Sequence, residues 1–149
     1  MASSAFGGLA MADEVMIRIS KSLYELIIAH MKAGYPNEAC GILAGPDHNL
    51  VSQFYPMRNT DESAISYFMD PKEQLRVFKE MRAKGLDMVG IFHSHVASEA
   101  YPSAKDVRLA FYPEVSYLIV SLADMKNPIL RSFRIQDETI TEEEIQIEN

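Results

Sequence analysis

From residue 16 onward the apolar positions fall into short blocks whose period switches between two and three-to-four. Met16–Ile19 alternates apolar and polar residues, the period of a strand. Ser22 and Glu25 stand at capping-box spacing. Leu23, Leu26, Ile27, His30 and Met31 then recur along one helical face, and Gly34 closes that helix. Ala39–Ala44 is a nearly continuous apolar run, as expected of a buried strand, and Leu50–Met57, after a Pro46-Asp47 turn, alternates again. Arg58–Ser66 is a polar loop and Tyr67–Met69 a short strand. Asp70-Pro71-Lys72-Glu73 combines an N-cap, proline at the first helical position and an acid in the first turn. The helix it opens points Leu75, Phe78 and Met81 inward and stops at Gly85. Met88–His95 reads as a buried strand. Ser103–Asp106 opens a third helix carrying Val107, Leu109, Ala110 and Phe111. Tyr117–Leu122, Leu130–Ile135 and Ile140–Ile147 complete the set as strands. Hairpins and helical crossovers together predict an α/β domain over residues 16–149, with a curved mixed sheet flanked by helices.

Composition narrows the function classes. Of 149 residues, 48% are hydrophobic and 23% charged, ordinary for a globular chain with one core. A net charge of −7 argues against a general binder of nucleic acid or anionic membranes, which needs clustered Lys and Arg. Cys40 is the single cysteine, so no intrachain disulfide forms, and a cytoplasmic location is the simpler expectation. Residues 1–15 are small and polar, lack a basic start, and reach Asp13-Glu14 early; they are expected to form a disordered leader rather than a secretion signal.

The chemistry concentrates in His93-Ser94-His95 with Ser103 and Asp106, that is H-x-H-x₇-S-x₂-D. Side chains two apart on a strand share a face, so both imidazoles can meet one ion. A carboxylate from Asp106, on the first turn of the next helix, would complete a three-ligand set and leave a fourth tetrahedral position for water, the mark of a catalytic zinc. Two exposed histidines at a strand end are the plainer account of His93 and His95. Ser103 and Asp106 also form a sufficient helix cap by themselves, a role compatible with ligation. Glu38, before the apolar run at 39–44, is either a solvated loop acid or a general base beside metal-bound water. Cys40 suits a small buried apolar position better than a ligand. His30 reads as packed, His48 as solvated, Glu142–Glu144 as the exposed part of a terminal hairpin, and Met69, Met81 and Met88 as core filler.

Together these residues resemble the JAMM motif of the MPN-domain metallopeptidases. The likeness runs in order through Glu38-Ala-Cys-Gly-Ile-Leu-Ala-Gly45, Arg58-Asn59, Asp70-Pro71, Val89–His95, Ala100–Ser103 and Tyr117–Ser121, covering about residues 16–147. It implies a cytidine-deaminase-like MPN fold and one zinc on His93, His95 and Asp106 with water as fourth ligand. It also implies Glu38 as general acid/base and Ser103 at the oxyanion of the tetrahedral intermediate. The compact chain is similar to prokaryotic forms that cut the amide or isopeptide bond after the C-terminal Gly-Gly of ubiquitin-like β-grasp sulfur-carrier proteins. A non-catalytic MPN scaffold is the alternative, although such relatives usually lack a ligand and none is missing here. A nucleobase deaminase ranks behind both, because its P-C-x-x-C signature needs two cysteines. Val96 stands where many of these proteins have proline after the second histidine, which removes a fixed φ but no ligand.

Overall fold

A computed structural model describes residues 16–149; the expected leader at 1–15 lies outside the described residues. Eight strands and three helices follow in the order β1 (Met16–Ser20), α1 (Lys21–Gly34), β2 (Cys40–Gly45), β3 (Leu50–Val51), β4 (Gln53–Met57), α2 (Pro71–Ala83), β5 (Asp87–His95), α3 (Ala104–Arg108), β6 (Ser116–Ser121), β7 (Ile129–Gln136) and β8 (Thr139–Glu148). They form one mixed sheet in the order β3-β1-β8-β7-β6-β5-β2-β4. The two ends of that order, β3 and β4, are neighbours in the chain, separated by Ser52 alone. The sheet must therefore curl until its edges approach; the α/β architecture has the curved mixed sheet expected, and it nearly closes into a barrel. The alternating run at 50–57 is two strands for the same reason. Leu50–Val51 pairs parallel with β1, Gln53–Met57 pairs antiparallel with β2, and the chain changes partner at Ser52.

The sheet buries both faces. Ile17, Ile19, Ile27, Met31, Leu43, Val89 and Phe92 pack on the α1 side. Ile42, Ala44, Val77, Met81, Ile91, Ile119 and Phe133 pack on the α2 side. β5 lies between antiparallel β2 and parallel β6 and is buried from Val89 to His95. Its pairing with β2 jumps from Leu43↔Gly90 to Ala44↔Met88, a bulge that places Val89 and Phe92 on the α1 side and Ile91 on the α2 side. The bulge thus sets which face the last residues of β5 present. Gly41 is required by close approach: a Cβ there would meet the Phe92 ring and the Tyr55 carbonyl.

Several expected details shift. Ser20, not Ser22, caps α1, its hydroxyl accepting the Leu23 N–H at 3.2 Å. The helix therefore starts at Lys21, and its buried residues are Ile27 and Met31, with Leu26 exposed. In α2 the expected cap at Asp70 and Pro71 is present, but Val77 and Met81 are buried and Leu75 is exposed. Residues 67–69 make no strand, only an isolated bridge between Asn59 and Met69. The third helix is five residues long, ending at its C-cap Leu109, and Leu109 and Phe111 are exposed. Glu143 is buried rather than solvated. It accepts the Ser132 hydroxyl at 2.6 Å and lies 3.2 Å from the Arg134 guanidinium, so the buried charge is paired. Among the described residues, no helix is long and apolar enough to cross a membrane.

Candidate metal centre and active site

His93 and His95 end β5 on the α2 side of the sheet. Their Nε2 atoms lie 3.1 Å apart. The Oδ2 atom of Asp106 lies 3.2 Å from the first and 3.1 Å from the second. A tetrahedral ion with bonds of about 2.0–2.1 Å holds its ligand atoms roughly 3.3 Å apart. The three atoms therefore converge at nearly the spacing of one zinc's coordination shell. Their hydrogen-bond chemistry supports the same fit. Nδ1 of His95 lies 2.8 Å from the Glu99 carbonyl oxygen, which can only accept, so that nitrogen carries the proton. In the neutral ring Nε2 then presents a lone pair toward the Asp106 carboxylate, another acceptor. Such a meeting of acceptors is satisfied by a cation at its centre. His93 is fixed differently. Its Nδ1 is buried with no hydrogen-bond partner, and its ring stacks on Tyr67 with centroids 4.5 Å apart.

Asp106 is held by the cap anticipated at the start of α3. Ser103 Oγ accepts the Asp106 N–H at 3.1 Å, and Asp106 Oδ2 accepts the Ser103 N–H at 2.9 Å. The same carboxylate oxygen thus closes the cap and faces both imidazoles. Burial would raise its pKa, but its contacts with the His93 and His95 imidazoles and the Ser103 N–H outweigh that and hold it well below the usual carboxylate range. Burial lowers His93, whereas contacts with Asp106 and the Glu99 carbonyl raise His95 in spite of its burial.

Glu38 is brought in by sheet register. β2 and β5 pair with Cys40 opposite His93. The contact continues outward, Ser94 N–H donating to the Ala39 carbonyl at 3.0 Å and Ala39 N–H to Ser94 Oγ at 2.9 Å. Two residues before Cys40 and two after His93, Glu38 and His95 therefore stand across from each other, and opposite residues of an antiparallel pair share a face. Glu38 is only 5% exposed. Burial pushes its carboxyl up to about 7, with the His95 charge opposing. In the metal-free site this carboxyl exchanges its proton near neutrality, as a group that both gives and takes protons must.

The five expected residues thus fall into one cluster around the end of β5. Cys40, opposite His93, does not join it as a ligand: it is fully buried, and burial pushes its thiol up to about 12. His30 is half-buried, edge-on to Phe54 and Phe92, and His48 is exposed. Met69 and Met81 are buried as expected. Three supporting residues had no separate role from sequence. Asn59 donates to the carbonyls of Glu38 at 2.9 Å and Ser66 at 3.0 Å, while its Oδ1 accepts from the amides of Asp61 and Phe68. It thereby ties the 59–68 loop to the Glu38 backbone. Tyr67 stacks on a proposed ligand, and the Glu99 carbonyl sets its neighbour's tautomer. Asn59 was visible only as part of a motif; Tyr67 and Glu99 carried no signal. The 96–102 loop is held without a proline at position 96, since Ser121 Oγ donates to the Ser98 carbonyl at 2.6 Å.

Comparison with known proteins agrees with the fold and the family. The CysO-cysteine peptidase of Mycobacterium tuberculosis is 41% identical over 130 residues, covering 87% of this chain and 89% of that protein. The desampylase of Haloferax volcanii is 37% identical over 101 residues, covering 64% and 73%. The solution structure of protein DSY2949 from Desulfitobacterium hafniense superposes with a TM-score of 0.82 at 46% identity, covering 90% and 94%. The family described as prokaryotic homologs of the JAB domain matches residues 20–136, from the start of α1 through β7, and every residue of the cluster. The chain belongs to the prokaryotic branch of the JAB (JAMM/MPN) family.

Proposed function

We propose that this protein is a zinc-dependent peptidase that hydrolyses the amide or isopeptide bond after the C-terminal Gly-Gly of a ubiquitin-like β-grasp sulfur-carrier protein, acting in the cytoplasm. The observation that carries the reading is the convergence of His93, His95 and Asp106 on one point, with Glu38 buried beside it. The named activities of the mycobacterial and haloarchaeal relatives support the substrate class.

In this reading His93, His95 and Asp106 would hold one zinc. When bound, the metal supplies Lewis acidity, lowering the pKa of water and polarising the scissile carbonyl. Glu38 takes a proton from the attacking water and returns it to the departing amine, a double role suited to a buried carboxyl beside the metal site. Ser103 Oγ accepts within the cap, so its own hydrogen is free to donate to the oxyanion. The Glu99 carbonyl keeps the His95 lone pair aimed inward, and Tyr67 holds the His93 ring. A scaffold role would be favoured by a missing donor, and none of the five is missing.

The test joins metal content with cleavage of a sulfur-carrier fusion extended beyond its Gly-Gly. Wild type is expected to hold about one zinc per chain and to cleave. Glu38→Gln is expected to keep the zinc and lose turnover, and His95→Ala to lose both. Turnover by Glu38→Gln at the wild-type rate would remove the general-base role, and no zinc uptake by wild type would remove the metal site.

A further inference from the structure

We propose that Lys105 is a specificity residue for the leaving group, its ammonium binding the free α-carboxylate of an amino acid attached to the carrier's Gly-Gly. The inference rests on the peptidase reading above and narrows it to conjugates whose leaving group is a free amino acid.

Lys105 immediately precedes Asp106 in α3. Its Nζ reaches 3.5 Å from Oδ2 of Asp61, on the loop that Asn59 ties to Glu38. The pair thus links the α3 side of the site to the Glu38 side. Both charges lie close enough to Glu38 to act on its carboxyl, Lys105 favouring and Asp61 opposing the ionised form. The pair is long and half-exposed, 42% at Lys105 and 33% at Asp61. Exposed pairs of this kind are worth about 0–1 kcal/mol, so the lysine changes partner at little cost. Asp61 is not stranded when it does, because its Oδ2 also accepts the Ser66 hydroxyl at 2.8 Å.

The surroundings give a cation at position 105 a role with such a substrate. Away from the metal centre, Asp61 and Glu62 make the rim beside Glu38 acidic in a chain at −7. A free carboxylate entering on that side meets like charge, which Lys105 offsets. In a Gly-Gly–amino acid conjugate the α-carboxylate is separated from the scissile nitrogen by a single carbon. It must therefore lie within a side chain's length of the ligand cluster. A lysine ε-amine leaving group on a target protein brings no carboxylate to that place, so charge at residue 105 separates the two substrate classes.

The experiment uses the zinc-loaded full chain and a β-grasp carrier whose Gly-Gly is extended by one alanine, as the free acid and as the C-terminal carboxamide. Wild type is expected to prefer the acid by about 10–100-fold in kcat/KM, the range of one hydrogen bond to a charged group, mainly through a lower KM. Lys105→Met is expected to bring that ratio near one by raising KM on the acid, and Lys105→Arg to retain it. Equal cleavage of acid and carboxamide by wild type would overturn the proposal and leave the peptidase reading intact. So would a Lys105→Met loss of the same size on both substrates. Failure of wild type to cleave either would reject the peptidase reading, and this inference with it.

Discussion

Glu38→Gln should stabilise the metal-free protein, and only above about pH 4.5, where the carboxyl of the unfolded chain ionises. The substitution preserves volume and removes the charge. In the native protein the Glu38 side chain sits at 5% exposure, and burial lifts its carboxyl from an ordinary 4.5 to about 7. That difference corresponds to about 3 kcal/mol between folded and unfolded chains. The sign follows from proton counting. Between pH 4.5 and 7 the native state holds the proton more tightly than the unfolded chain, so stability falls as pH rises through this window. Below 4.5 both states are protonated and the penalty vanishes; above 7 both are ionised and it is present in full. Relative to glutamine, glutamate should cost about 3 kcal/mol at pH 8 and under about 1 kcal/mol at pH 5. Urea denaturation of both proteins in chelator at the two pH values measures this difference, since other titrating groups are common to the pair. A Glu38→Gln difference that is the same at pH 5 and pH 8 would refute the raised carboxyl and with it the physical basis for proton exchange near neutrality.

Two further outcomes are expected. Ser103→Ala should lower kcat through the lost oxyanion donor and lower stability by about 0.5–2 kcal/mol through the lost cap; kinetics beside a thermal melt separate the two, and an unchanged kcat would reject the oxyanion role. The β7–β8 turn holds Asp137 and Glu138 at φ of 50° and 65°, both left-handed, so Glu138→Gly should raise stability by about 0.5–1 kcal/mol in the same melt, and a drop would mean that the Glu138 side chain contributes more than its backbone costs.

What could be read from sequence was what local periodicity and spacing specify. A strand's period of two places His93 and His95 on one face whatever surrounds them, and the Ser103–Asp106 cap points a carboxylate back from a helix start by local hydrogen bonds alone. The N-cap and proline of α2, the buried runs of β2 and β6, and the paired terminal strands were legible for the same reason. Tertiary structure decided the rest. Glu38 lies 55 residues before His93, and only the β2–β5 register sets it opposite His95. The bulge near Gly90 depends on pairing that no single strand encodes. Glu143 looks solvated within an acidic run, and becomes buried because Ser132 and Arg134 on β7 supply its partners. The alternating stretch at 50–57 splits because the curled sheet offers it two different neighbours. Leu26 and Leu75 sit on the right helices but outside the buried stripe, since the rotation of a helix is set by the surface it packs on, and short-range spacing contains no information about that surface.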